Sequence, residues 1–149
     1  MLAVTDAEVI APPRVILDTN VLVAAGFRAT SAAGRLVEVV RRGDFRLVWN
    51  EETRRENEAV LRRIPRLDWE GFRGLFDSAG EYRGETRPDR FSRIEDPEDR
   101  KFAALAAAAG AVVVSADAHL LSCRDELPIV VLTARELLTM TGGRQSPAA

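Results

Sequence analysis

Four carboxylates stand where chemistry is conceivable: Asp18 directly after an apolar run, Glu56 inside a charged helical stretch, Asp99 at the opening of an alanine-rich segment, and Asp117 after the most apolar run of the chain. They come from four separate segments. Brought together, two carboxylates about 4 Å apart repel by roughly 4 kcal/mol at an effective dielectric of 20, a strain that bound cations reverse. An oxygen-only donor set, with no thiol or imidazole beside it, favours Mg2+ or Mn2+ over zinc. Such a cation orients a water, lowers its pKa and stabilises charge growing on a phosphodiester, so metal-assisted phosphodiester hydrolysis is the natural candidate reaction.

Each acid also has an ordinary structural reading. Asp99 could answer the positive end of its helix dipole, with Asp96 as the N-cap, and on local sequence this is the commoner use of such an acid. Glu56, with Glu51, Glu52 and Glu58 nearby, could belong to a solvated helix face, again the commoner case. Asp18 and Asp117 divide evenly between an Asx-type turn and a site, because a carboxylate at the end of a buried strand needs a turn, a partner or a cation.

Composition narrows the field. At 149 residues, with 46% hydrophobic and 30% charged side chains, the chain is sized and balanced for one soluble globular domain. One cysteine, Cys123, and one histidine, His119, exclude a disulfide framework and a Cys/His zinc site, and fit a reducing, cytoplasmic setting. No apolar run is long enough to span a bilayer, and the N-terminus lacks the order of a secretory signal, so no membrane association is expected. The net charge of −2 gives no general attraction to nucleic acid, and any such binding must be local. Arg54, Arg55, Arg62, Arg63, Arg66, Arg83, Arg87, Arg90 and Arg93 are candidate phosphate contacts, although arginines mostly lie on solvated faces. Trp49, Trp69 or Tyr82 could stack a base, with core burial the commoner fate.

The elements that must position the acids follow from periodicity. Residues 1–13 read as a flexible leader ending in a proline pair, 14–141 as the folded domain, and 142–149 as a flexible tail. Val15–Leu17 reads as a buried strand delivering Asp18. A helix is expected over 31–42, capped by Ser31 and stopped by Gly43, then a strand over 45–49 and a helix from Asn50 to about Arg63 that carries Glu56. Residues 67–79 look like a short amphipathic helix, and 80–97 resist placement. The alanine-rich helix ends at Gly110, and the strand 111–115 leads to Asp117. A helical turn over 119–123, a strand over 129–132 and a helix from Thr133 to about Met140 complete the order. Strands alternating with helices predict an α/β fold, a mainly parallel sheet between helical layers, with ligands beyond the carboxyl ends of the strands.

The run Val15-Ile16-Leu17-Asp18-Thr19-Asn20-Val21-Leu22 resembles the opening of the PIN-domain family. In the family's order follow Glu56-x-x-x-Val60-Leu61, Asp96-Pro97-Glu98-Asp99-x-x-Phe102, and Ala109-Gly110-Ala111-x-x-Val114-Ser115-x-Asp117-x-x-Leu120-Leu121, so the resemblance spans about Arg14 to Leu138. It implies a three-layer α/β/α sandwich and a metal-dependent endoribonuclease site. Asp18, Glu56, Asp99 and Asp117 match the family's acidic positions, and Asn20 and Ser115 its polar support. The resemblance makes Asp18 and Asp99 metal ligands, Asp117 a direct or water-mediated ligand, and Glu56 a ligand or water-orienting base, with Mg2+ or Mn2+ as cofactor. Asn20 would hold an acid or a phosphate. The pattern looks most like bacterial PIN proteins of toxin–antitoxin pairs, similar to the VapC group, which implies RNA as substrate, a cognate antitoxin and a homodimer. The chain departs from the usual Thr-Gly-Asp, carrying Ser115-Ala116-Asp117 instead.

Other readings rank lower. A PIN-like binding or scaffold module without nuclease activity would be signalled by a missing acid. A phosphate-transferring protein using Asp18 as nucleophile would want an aspartate two residues on, where Asn20 stands. Ser31, Ser92, Ser115 and Ser122 lack a nucleophile elbow, and no glycine-rich loop cradles a nucleotide.

Overall fold

The computed structural model of the chain describes residues 11–145. Val15, Ile16 and Leu17 have no polar face to present to solvent, and they form a strand buried on both sides, β1 (Arg14–Leu17). Asp18 then caps α1 (Thr19–Phe27), and Ser31 caps α2 (Ala32–Arg41) by accepting the Gly34 N–H at 3.0 Å. After β2 (Arg46–Leu47), Asn50 and Thr53 form a reciprocal capping box that starts α3 (Glu51–Arg63). A short α4 (Glu70–Arg73) and two 3-10 turns lead to α5 (Pro97–Ala109), whose Pro97 suits a first helical turn and whose Gly110 closes it at φ 68°. The remaining elements are β3 (Val112–Val114), α6 (Ala118–Ser122), β4 (Val131–Leu132) and α7 (Ala134–Gln145).

The strands form one sheet in the order β2-β1-β3-β4, parallel throughout, with Val15, Ile16 and Leu17 opposite Val112, Val113 and Val114. Successive side chains leave the sheet on opposite faces. Val15, Leu17 and Val114 enter one core with Leu22, Leu36, Leu61 and Leu137 of the helices on that side. Ile16, Val113 and Val131 enter a second core with Phe102, Leu105 and Ala106 of α5. The result is the three-layer α/β/α sandwich expected from the alternation of strands and helices. Adjacent β1 and β3 both end at one edge, and that edge carries Asp18 and Asp117.

Several elements differ from their sequence-based expectation. The strand expected over 45–49 pairs regularly only at Arg46–Leu47, although Val48 still donates to the Val15 carbonyl at 2.8 Å and Trp49 bridges to Glu81. The helix expected over 67–79 is confined to α4. Gly71 and Gly74 weaken it, and Phe76 turns away to pack on Trp49 and Trp69, at ring-centroid distances of 5.8 and 5.5 Å. The Trp49 indole N–H donates to the Asp77 carbonyl at 2.9 Å and so fixes the bend. The unplaced stretch 80–97 earns its position by sending Phe91 and Ile94 into the second core. The last helix continues past Met140 to Gln145, so the start of the expected tail is helical. Residues 1–10 of the expected leader and 146–149 of the tail lie outside the described residues.

Candidate active site

Asp18 is 4% exposed at the end of β1. Its Oδ1 accepts the backbone N–H of Asn20 at 3.1 Å, and its Oδ2 accepts the hydroxyl of Ser115 at 2.8 Å. Ser115, fully buried at the end of β3, also accepts the Asp117 backbone N–H at 3.0 Å. One hydroxyl thus ties the ends of two adjacent strands together and sets Asp18 and Asp117 in register. Asp117 caps α6, its Oδ1 accepting from His119 N at 2.7 Å and Leu120 N at 3.3 Å. The Asx-turn reading holds for both aspartates, since each carboxylate caps a helix, and both stand at the carboxyl edge of the sheet, where the site reading places them.

Asp99 enters from the first turn of α5, where Asp96 caps the helix by accepting the Glu98 N–H at 2.9 Å. Burial, then the charges of Asp18, Asp117 and Asp96, push the Asp99 carboxyl up to about 7. Burial likewise raises Asp18, against the lowering effect of Ser115 and Asn20, and Asp117 and Asp96 add to the rise. Three of the four expected acids therefore act on one another. Asp96, read from sequence as a cap, contributes its charge to the same point. Its signal was its place three residues before Asp99 on a helix start aimed at the strand ends.

Glu56 stands differently. Its Oε1 lies 3.5 Å from the Lys101 ammonium, which also holds Glu98 at 2.7 Å. Half-burial works against the Lys101 charge, but Glu98 and Glu56 more than offset it and raise the lysine above its ordinary pKa. Asn20 contributes its backbone N–H, and its residue is exposed at the surface of α1. Sequence reasoning missed Asn57, which is 3% exposed and donates to the Thr19 hydroxyl at 2.7 Å, clamping α3 to α1. An amide on the buried Thr53-Asn57-Leu61 stripe was the available signal. Trp49 and Trp69 are core residues, and Tyr82 is half-buried with its hydroxyl donating to the Glu85 carbonyl at 3.2 Å. His119 is an exposed surface residue beside the site, and Cys123 is half-buried.

The donor set suits a hard divalent cation. Asp18, Asp99 and Asp117 offer oxygen alone, and among the described residues none of them forms an ion pair with lysine or arginine. Their charge is left for something outside the chain to neutralise. Among the described residues, no three acidic, histidine or cysteine side chains stand ready at ligating range of one point, so the aspartates would have to draw together around an ion. An open groove lined by Arg93, Asp96, Asp99, Arg100 and His119 leads away from the cluster. No helix among the described residues is long and apolar enough to cross a membrane.

No curated protein matches the chain significantly. The family described as PIN domain matches residues 14–119, more than two thirds of the 149-residue chain and a span that contains Asp18, Glu56, Asp99 and Asp117. Match, sheet topology and acidic edge agree, and the chain belongs to the PIN-domain family.

Proposed function

We propose that the chain is a metal-dependent endoribonuclease and the toxin of a toxin–antitoxin pair. PIN domains are in general nucleases that use divalent metal. The observation that carries the reading here is the convergence of Asp18, Asp99 and Asp117 from three segments, with no basic partner among the described residues. When bound, Mg2+ or Mn2+ supplies an activated water and a counter-charge for the phosphodiester. Asp18 and Asp99 hold the ion, and Asp117 holds it directly or through water. Ser115 keeps Asp18 and Asp117 in register, and Glu56 ligates or orients the attacking water. Asn20 supports Asp18 through its backbone. The antitoxin, a homodimer and a cytoplasmic location belong to the same reading.

The test is cleavage of a panel of structured and single-stranded RNAs by the purified chain in Mg2+, Mn2+ or chelator, beside Asp18→Asn and Asp99→Asn. Metal-dependent cutting by the native chain and by neither variant supports the nuclease. No cutting in any condition, together with no metal binding by calorimetry, overturns it in favour of a PIN-fold scaffold. The toxin role is tested separately by induced expression in a bacterial host, where the native chain halts growth and Asp99→Asn does not.

A further inference from the structure

The groove that opens beside Asp99 has a volume of about 500 Å3, the size of clefts that take a small organic ligand. One wall is the segment 92–96, and the other is α6 with Cys123 after it. Both walls are fixed. Ile94 is buried in the second core, and Arg100 donates from Nε to the Ile94 carbonyl at 2.8 Å and from Nη2 to the Ser92 carbonyl at 3.3 Å. Arg93 pairs with Glu126 across 33 residues and so ties the first wall to the 3-10 turn Arg124–Glu126 that follows α6. His119 is held through its backbone N–H on Asp117 Oδ1, while its ring, 84% exposed, faces Glu95 at 3.8 Å.

The charges of that lining decide what enters it. Glu95, Asp96 and Asp99 stand against Arg93, already paired with Glu126, and Arg100, whose donors are turned to carbonyls. A phosphate in the groove would meet carboxylates at close range and be repelled. An uncharged heterocycle meets no such penalty. It finds instead an imidazole and the guanidinium plane of Arg93, the kinds of surface on which unpaired RNA bases stack.

We infer that this groove receives one unpaired RNA base next to the scissile phosphate, with His119 as the residue that positions it, so that the chain cuts beside an unpaired nucleotide. The inference rests on the nuclease reading and adds the form of RNA taken and the residue that recognises it. Continuity gives the register. Asp99 belongs both to the aspartate cluster and to the groove wall, and Asp117 holds the His119 backbone, so a base stacked on His119 brings its adjoining phosphate toward the carboxyl edge. A base inside a duplex is stacked and paired, and entering the groove would cost it both.

The experiment is cleavage of a single-stranded oligoribonucleotide by the purified chain in Mg2+ or Mn2+, with the cut mapped, beside copies lacking one base at a time around the cut and a copy closed into a duplex by its complement. The native chain should lose roughly tenfold in kcat/KM at one abasic position, the scale of a lost base stack, and should cut the duplex poorly. His119→Ala should cut the intact and abasic copies at one reduced rate. His119→Phe should restore the difference, which a merely structural role of His119 would not do. Binding is read separately in Asp18→Asn, where the intact oligoribonucleotide should slow alkylation of Cys123, the single thiol of the chain, several-fold and a fully abasic copy should not. Equal cutting of duplex and single strand, no abasic penalty, the same penalty in His119→Ala, or cutting without protection of Cys123 overturns the inference and leaves the nuclease reading standing. Protection of Cys123 without cutting overturns the nuclease reading and keeps the base site. Neither cutting nor protection overturns both.

Discussion

The outer face of α3 and the carboxyl edge of the sheet use the same side-chain chemistry to opposite ends. On α3, Glu51 and Glu58 each hold arginines three or four residues away, and those hydrogen bonds, from Arg54 and Arg62 foremost, hold both acids below their usual range. These pairs lie along one solvated helix face, are screened by water and contribute little beyond keeping that face polar. At the strand ends, burial and neighbouring aspartates push Asp18 and Asp99 the other way. An arginine-rich chain in which, among the described residues, none of them pairs with the three aspartates leaves that charge for an external cation. The difference separates a solvated face from a site more sharply than a count of acids does.

The largest expected effect is at the edge itself. Asp99→Asn removes a carboxylate from the cluster, so RNA cleavage should drop by at least about a hundredfold, more than is usual for loss of a group that only orients a ligand. The same change relieves repulsion, and the metal-free variant should melt higher than the native chain at pH 8. A variant that kept its activity, or melted lower, would break the contrast with α3. Ser115→Ala comes next. It strips a fully buried charged hydrogen bond from Asp18 and should cost about 1.5–3 kcal/mol in urea unfolding together with roughly tenfold or more in cleavage, whereas Ser115→Thr keeps both.

Asn57→Leu tests the frame rather than the cluster. The change removes the donor to the buried Thr19 hydroxyl and should destabilise by about 1–3 kcal/mol, and it should lower kcat because α3 loses its hold on α1.

The pH dependence should have opposite signs in two places. Asp99 is raised from 3.8 to about 7 on folding, so its contribution favours the protonated folded state, is present in full below 3.8 and is lost as the pH rises through about 7. Metal-free protein should therefore lose melting temperature as the pH rises from about 4 to about 7, and the loss should be smaller in saturating Mg2+. Glu136, drawn down to about 2 by Arg124 and then by the Thr133 N–H, contributes stability above its unfolded value of 4.5, and that share is lost as the pH falls through about 2. Replacing it by Gln should flatten only the acid limb of a stability profile. At the bottom of the scale, Arg62→Gln should leave the melting temperature and cleavage close to those of the native chain.

Much of the fold is legible in the sequence because its signals are local. Ser31, Asn50 and Gly110 announce helix ends through hydrogen bonds and backbone angles that involve residues within one turn. The apolar runs before Asp18 and Asp117 announce buried parallel strands in the same way. The segment 19–27 was silent for the opposite reason, since α1 is apolar nearly all round and shows no stripe. The end of the 67–79 helix was misjudged because it is decided by Trp49, a residue from another part of the chain.

By itself, then, the sequence determined which acids exist, that two of them follow buried strands, and that the motif order is that of a PIN domain. The tertiary structure decided which carboxylates meet. Ser115 reaches Asp18 across 97 residues and Lys101 reaches Glu56 across 45, so the grouping of three aspartates on one side and a lysine-bound glutamate on the other depends on the sheet order and on how α3 packs against α5. Caps and strands are short-range and can be read along the chain. The charge balance of a site is a sum over neighbours in space, and that sum exists only once the chain has folded.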